Sequence, residues 1–161
     1  MIRTMRFTTL IASLLAATVA AAPAHAKWPP WLSIESPVNP FDSSTAGALF
    51  LVHAATRDGT PGIASLSGSA EGLVDNARRT IALTFDTTSR PGVFAVRRQW
   101  PTEGTWIVRV SLASTTAIVV LDRAGNVASV RVPTTLANGR PIPRAVVARD
   151  IDSTLTVASV H

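Results

Sequence analysis

The segment Pro91–Val110, PGVFAVRRQWPTEGTWIVRV, constrains this chain more than any other. Two strand-favouring runs, Val93–Trp100 and Thr105–Val110, flank Pro101-Thr102-Glu103-Gly104. Proline presets φ for a turn and glycine accepts positive φ, so the chain is expected to reverse there. Side chains of a strand alternate between faces. Phe94 and Val96 then share one face, with Trp106, Val108 and Val110 together on the returning strand, while Arg97 and Arg109 lie opposite. The expectation is a hairpin with one apolar and one polar side, of the kind found in the middle of a sandwich.

Further strand signals surround it. Trp31–Glu35 reads as a short first strand in the proline-rich stretch Lys27–Thr45, where four prolines forbid a helix. Trp28 and Trp31 are expected to pack on the domain as a clasp. Ala46–Thr56 is apolar on both faces and reads as a core strand. A turn is expected at Arg57–Gly62, a serine-rich strand at Ile63–Ala70, and a second turn at Glu71–Asn76. Arg79–Asp86 alternates cleanly, with Ile81, Leu83 and Phe85 on one face. Thr115–Leu121 and Val127–Val132 form a last pair around Asp122-Arg123-Ala124-Gly125-Asn126. Beyond Pro133, Asn138-Gly139-Arg140-Pro141 reads as a loop, and Thr154–Val160 as an extra edge strand or a mobile tail. The pattern predicts an all-β, immunoglobulin-like antiparallel β-sandwich of about seven strands, with no α-helix beyond an N-terminal signal segment.

That signal segment is read at residues 1–26. Arg3 and Arg6 precede an apolar run from Phe7 to Ala22, and small residues follow up to Ala26, the pattern of a secretory signal peptide. The expected organisation is a signal peptide (1–26), a Pro/Trp-rich segment (27–45), the sandwich (46–133) and a C-terminal segment (134–161). The chain contains no cysteine, and both methionines, Met1 and Met5, lie in the signal segment, so thiolate and thioether ligands are excluded from the mature chain. Without Arg3 and Arg6, thirteen basic residues stand against ten acidic ones, a net charge of about +3. So modest a charge argues against nucleic acid as a partner.

The patterns A-L-F-L-V-H-A at Ala48–Ala54, D-G-x-P-G, L-S-G-x-A-E-G-L, P-G-V-F-x-V and W-P-x-x-G-x-W-x-V-x-V together resemble bacterial exported Ig-like modules of the YtkA-like and FixH-like kind. The turn D-R-A-G-N at Asp122–Asn126 is similar to the D-x-A-G-N hairpin of many bacterial Ig-like repeats. The resemblance covers about two-thirds of the mature chain and implies a periplasmic accessory role. Its motifs are structural, so they carry fold more than activity. The methionine-rich copper ligands of some such proteins have no counterpart here.

Chemistry is sparse. The three histidines are His25, His53 and His161, no G-x-S-x-G elbow, P-loop or dinucleotide fingerprint occurs, and the acids are scattered through turns. The expectation is a non-catalytic exported module that binds another exported or membrane protein, with no cofactor and no metal. Its partner-binding patch is placed at Arg97, Arg98 and Trp100, since arginine and tryptophan are enriched at interfaces. The alternative is a periplasmic copper carrier. Cleavage after Ala24 starts the chain at His25, and a terminal amine, His25 and His53 then form a nitrogen-rich site suited to Cu(II). That site resembles the N-terminal histidine site of CopC-like carriers. Cleavage after Ala26 removes His25, and the pattern Ala24-His25-Ala26 favours it.

Overall fold

The computed structural model describes residues 30–56 and 66–160, so the expected signal segment, Trp28, His25, the turn expected at Arg57–Gly62 and His161 lie outside the described residues. Two antiparallel sheets face each other as a sandwich. One holds β1 (Trp31–Glu35), β2 (Phe50–Ala55), β5 (Asp86–Thr87) and β6 (Val93–Val96) in the order β1-β2-β6-β5. The other holds β3 (Leu66–Val74), β4 (Ala77–Ala82), β7 (Thr105–Leu112), β8 (Thr115–Leu121) and β9 (Val127–Arg131) in the order β4-β3-β7-β8-β9. A separate hairpin, β10 (Thr134–Ala137) with β11 (Arg140–Pro143), precedes the helix α1 (Ala148–Val160). The all-β, Ig-like antiparallel sandwich is therefore present, with nine strands in its two layers rather than about seven.

The central hairpin has the predicted faces and a different pairing. β6 bonds to β2 and β5, whereas β7 bonds to β3 and β8. The chain between them is an arch from one sheet to the other, so Phe94 and Val96 meet Trp106, Val108 and Val110 across the core instead of side by side. The expected strand Val93–Trp100 stops at Val96. A second crossover splits the expected strand Arg79–Asp86 into β4 and β5, and Leu83 and Phe85 still pack on the core as the chain changes layers. Alternation reports which side chains are buried, not which strand is the neighbour.

Trp106 fixes the arch. Its Nε1–H donates to the Glu103 carbonyl at 2.8 Å, and Gly104 turns there at φ +89°. Across the ladder Trp106 stands opposite Gly72, where a Cβ would meet the indole at 2.4 Å. Gly72 lies in β3, so Glu71–Val74, expected as part of a turn, is strand. The turn itself is the two-residue Asp75-Asn76, both at positive φ (50° and 61°), as the right-handed twist of a tight hairpin requires. Asn138-Gly139 repeats this solution between β10 and β11, and Arg140-Pro141, expected in the loop, begins β11.

The helix overturns two expectations: that no helix would follow the signal segment, and that Thr154–Val160 would be an edge strand or tail. Ile151, Leu155 and Ala158 recur at helical spacing and pack on Ile107, Ile118 and Val120, on the outer face of the five-stranded sheet. β7 and β8 are therefore buried on both faces, and the side of β7 expected to be wet is half covered. Asp150 starts the helix by accepting the Val147 N–H at 3.0 Å, the return half of a capping box. Arg144 grips the same carboxylate through both terminal nitrogens, at 2.6 and 2.7 Å. The outer face of the other sheet is smaller, and Leu51, Val93 and Ala95 there are covered by Val38 and Ala48.

Candidate functional site

The three residues of the predicted patch separate in the structure. Arg97 follows β6 and braces the chain: Nε and Nη2 donate to the Ala46 carbonyl at 3.1 and 3.0 Å, and Nη1 pairs with Asp86. Arg98 points the other way, with Nη2 3.4 Å from the Ala124 carbonyl, over the turn between β8 and β9. Gly125 makes room for it, since a Cβ there would fall 1.4 Å from that nitrogen. Trp100 is 5 % exposed and belongs to the core. Arg98 and Trp100 line one small polar dimple with Trp106 and Arg123, and Arg97 does not reach it. Between them, the Gln99 amide clamps Thr84, accepting from its N–H at 2.8 Å and hydroxyl at 2.9 Å and donating to its carbonyl at 3.0 Å. This stretch stitches the two crossovers together instead of presenting one binding face.

A constellation not read from the sequence lies on the outer face of the four-stranded sheet. His53 pairs with Ser33 in the β1–β2 ladder, which puts Glu35 diagonally within reach. His53 Nε2 and Glu35 Oε2 lie 2.6 Å apart. Arg90 brings Nη1 to 3.4 Å from the same oxygen, and its Nε, buried and without a hydrogen bond among the described residues, sits 3.9 Å from Asp42 Oδ2. The hydrogen bond with His53, and then Arg90, hold the Glu35 carboxyl below its ordinary range against the opposing effect of burial. Asp42 is held low first by the Ser44 hydroxyl, 2.6 Å from its Oδ1. Trp31 stands edge-on to the imidazole, ring centres 6.0 Å apart. Trp31 is 55 % exposed, so its own part in the expected clasp is this edge contact instead of full burial. A recess of about 100 Å³ opens beside His53 between Trp31 and Pro91-Gly92-Val93. An imidazole paired to a carboxylate is a proton acceptor and can orient a metal ligand. Among the described residues, however, no three His, Asp or Glu side chains gather as a metal would need. The described residues alone do not fit copper, and His25 and the amine that reading invokes lie outside them.

The other layer has its own buried carboxylate. Glu71 accepts from Ser69 Oγ at 3.0 Å and Thr80 Oγ1 at 3.1 Å, with Arg78 and Arg109 at 3.5 and 3.6 Å. Arg78 reaches on to Asp152 of α1. Its partners lie on β3 itself and on the neighbouring β4 and β7, and Arg78 carries the link on to the helix, so the arrangement is a brace.

The remaining feature is an open side of the sandwich. β1 lies over β8, and among the described residues no strand of the four-stranded layer extends beyond β1 to cover β9. A groove of about 600 Å³ runs between them, lined by Ile34, Pro37, Val38, Leu49, Val127 and Val130 among others. Val130 is 41 % exposed there, Val132 just beyond β9 is likewise 41 % exposed, and Leu136 on the following hairpin is 75 % exposed. No sequence rule for single strands finds such a site, because it arises from a mismatch in strand number between layers. No family model, no curated protein and no solved structure matches the chain.

Proposed function

We propose that this protein is a non-catalytic, exported module that binds another exported or membrane protein through the side carrying β9 and the β10–β11 hairpin. One observation carries the reading. Of the eight large hydrophobic residues that stand exposed among the described ones, Val130, Val132, Leu136, Ile142 and Val147 fall within one short stretch of chain. A run of chain that leaves this many large apolar side chains uncovered offers a partner apolar surface, the usual mark of an interaction site. An isolated two-stranded hairpin is also marginal in water, and β10–β11 gains a reason to persist if a partner covers it.

The test is a photoreactive side chain placed at Leu136, with export from the protein's own signal in its host and identification of what is cross-linked. The reading expects one dominant partner, lost when Ile142→Asp is added. Cross-links spread evenly over abundant proteins, unchanged by Ile142→Asp, would overturn it.

A further inference from the structure

The sandwich has four lateral edges, and exposed edges invite pairing with other chains unless something blunts them. Three are blunted. β5 is two residues long; β4 displays Arg78 and Arg79; β9 carries Arg131 and is kinked by a register shift opposite Val120 and Leu121. β1 is five residues long, and its one charge, Glu35, is tied to His53. Among the described residues nothing pairs with its outer side.

Which backbone groups are free follows from the ladder. The Ala54 N–H donates to the Gly92 carbonyl at 2.8 Å, so Ala54 faces away from β1. In an antiparallel pair, bonded and non-bonded positions alternate. Leu32, opposite Ala54, and Ile34, opposite Val52, therefore direct their N–H and C=O groups outward. Beyond that edge lies the groove, floored by β9. Val127 pairs with Leu121 and Val130 with Val119, so both project toward the core side, where Val127 packs partly on the core, and no strand among the described residues lies above them. Among the described residues the covering layer has one strand fewer than the layer beneath, and neighbouring strands lie about 4.8 Å apart. None of the described residues lining the groove is charged. A charge entering it would lose water without finding a counter-ion.

We propose that the free edge of β1, above the uncovered valines of β9, accepts an extended, uncharged segment of a partner polypeptide that completes the four-stranded layer. The added strand bonds to Leu32 and Ile34 and lays alternate β-branched side chains on Val127 and Val130, the mode of strand addition. This rests on the partner-binding reading and names the chemistry of the partner.

The experiment uses the folded, isotopically labelled protein and a capped peptide, Ser-Val-Thr-Val-Thr-Val-Ser. In antiparallel register the residues facing Leu32 and Ile34 across the edge share their inward side, so the valine N–H groups make the bonds. Binding should shift the Leu32, Ile34 and Val130 amides and slow exchange at Leu32 and Ile34. N-methylation of the valines should weaken binding about tenfold or more, and N-methylation of the threonines much less. Val130→Asp, at a half-exposed position, should weaken it comparably with the spectrum of the fold retained. Absence of binding, equal loss from both methylation patterns, indifference to Val130→Asp, or self-association through β1 instead of peptide binding would each overturn the proposal. A specific cross-link at Leu136 with a silent peptide would sink the groove alone; silence in both would remove the partner-binding reading as well.

Discussion

Trp106 determines what several other positions must be. Its indole lies over Gly72, its N–H needs the Glu103 carbonyl, and the turn that supplies that carbonyl needs Gly104 at positive φ. Trp106→Ala should therefore cost about 3–5 kcal/mol, visible as a large fall in the urea midpoint. Phe94→Ala on the facing layer should behave similarly. Arg97→Ala, which removes partly exposed bonds to Ala46 and Asp86, should cost about 1 kcal/mol or less. Equal shifts for all three would contradict the assignment of faces. Gly72→Ala should be destabilising by about 1–3 kcal/mol, because the new methyl drives into the indole. In a Trp106→Leu background that cost should shrink, and a double-mutant cycle reads the difference. Burial of Phe94, Val96, Trp106, Val108 and Val110 is legible in the sequence, since period-two alternation records it directly. Trp100 is not: it follows the end of β6, where alternation has ceased and the chain has turned inward.

At the scale of elements, β1 and β8 can be read from the sequence to the residue, and the turn at Asp122–Asn126 with them. The Asp122 carboxylate accepts the Asn126 N–H at 2.8 Å, the local bond that makes Asp a turn residue. The arch and the strand switch at Leu83–Phe85 are not legible, because a strand that leaves one sheet for another keeps the same side-chain rhythm. Helix α1 escapes for another reason. Its N-cap is Val147 instead of Ser or Thr, and Thr154, Thr156 and Val157 favour a strand when read alone. Packing on Ile107 and Ile118 overrides that preference. Its start is acid-sensitive. Arg144 first, and then the Val147 N–H, hold the Asp150 carboxyl down to about 2, against 3.8 for the free group. A carboxylate with a depressed folded pKa stabilises the fold above the unfolded value and loses that contribution as pH falls through the folded one. Docking of α1 should thus weaken between about pH 4 and pH 2, seen as loss of helical ellipticity and faster exchange at Ile107. Asp150→Asn should be weaker at neutral pH and lose that step, and an unchanged step would remove Asp150 as its cause.

For the whole molecule, the place of the expected signal cleavage decides the chemistry available. A chain beginning at Lys27 retains only His53 and His161 as imidazoles, and the Nε2 of His53 is engaged by Glu35. Intact mass of the exported protein, followed by Cu(II) titration, should give a start at Lys27 and no tight binding. A start at His25 with one copper bound, lost on His53→Ala, would replace the partner-binding reading with that of a carrier. The order of strands has a consequence of another kind. Neither layer is contiguous in the chain: β3 and β4 interrupt one, β5 and β6 the other, and the helix that seals the outer face arrives last. A nascent polypeptide holds all strands of the four-stranded layer only once β6 is made, and all strands of the five-stranded layer only once β9 is made, so neither layer has its full apolar cover before then. Folding must wait for nearly the full length to emerge, and it should proceed on the slow, millisecond-to-second side typical of topologies built from distant pairings. If the chain is exported as proposed, a polypeptide unable to close early stays threadable through a translocation pore until its end is through.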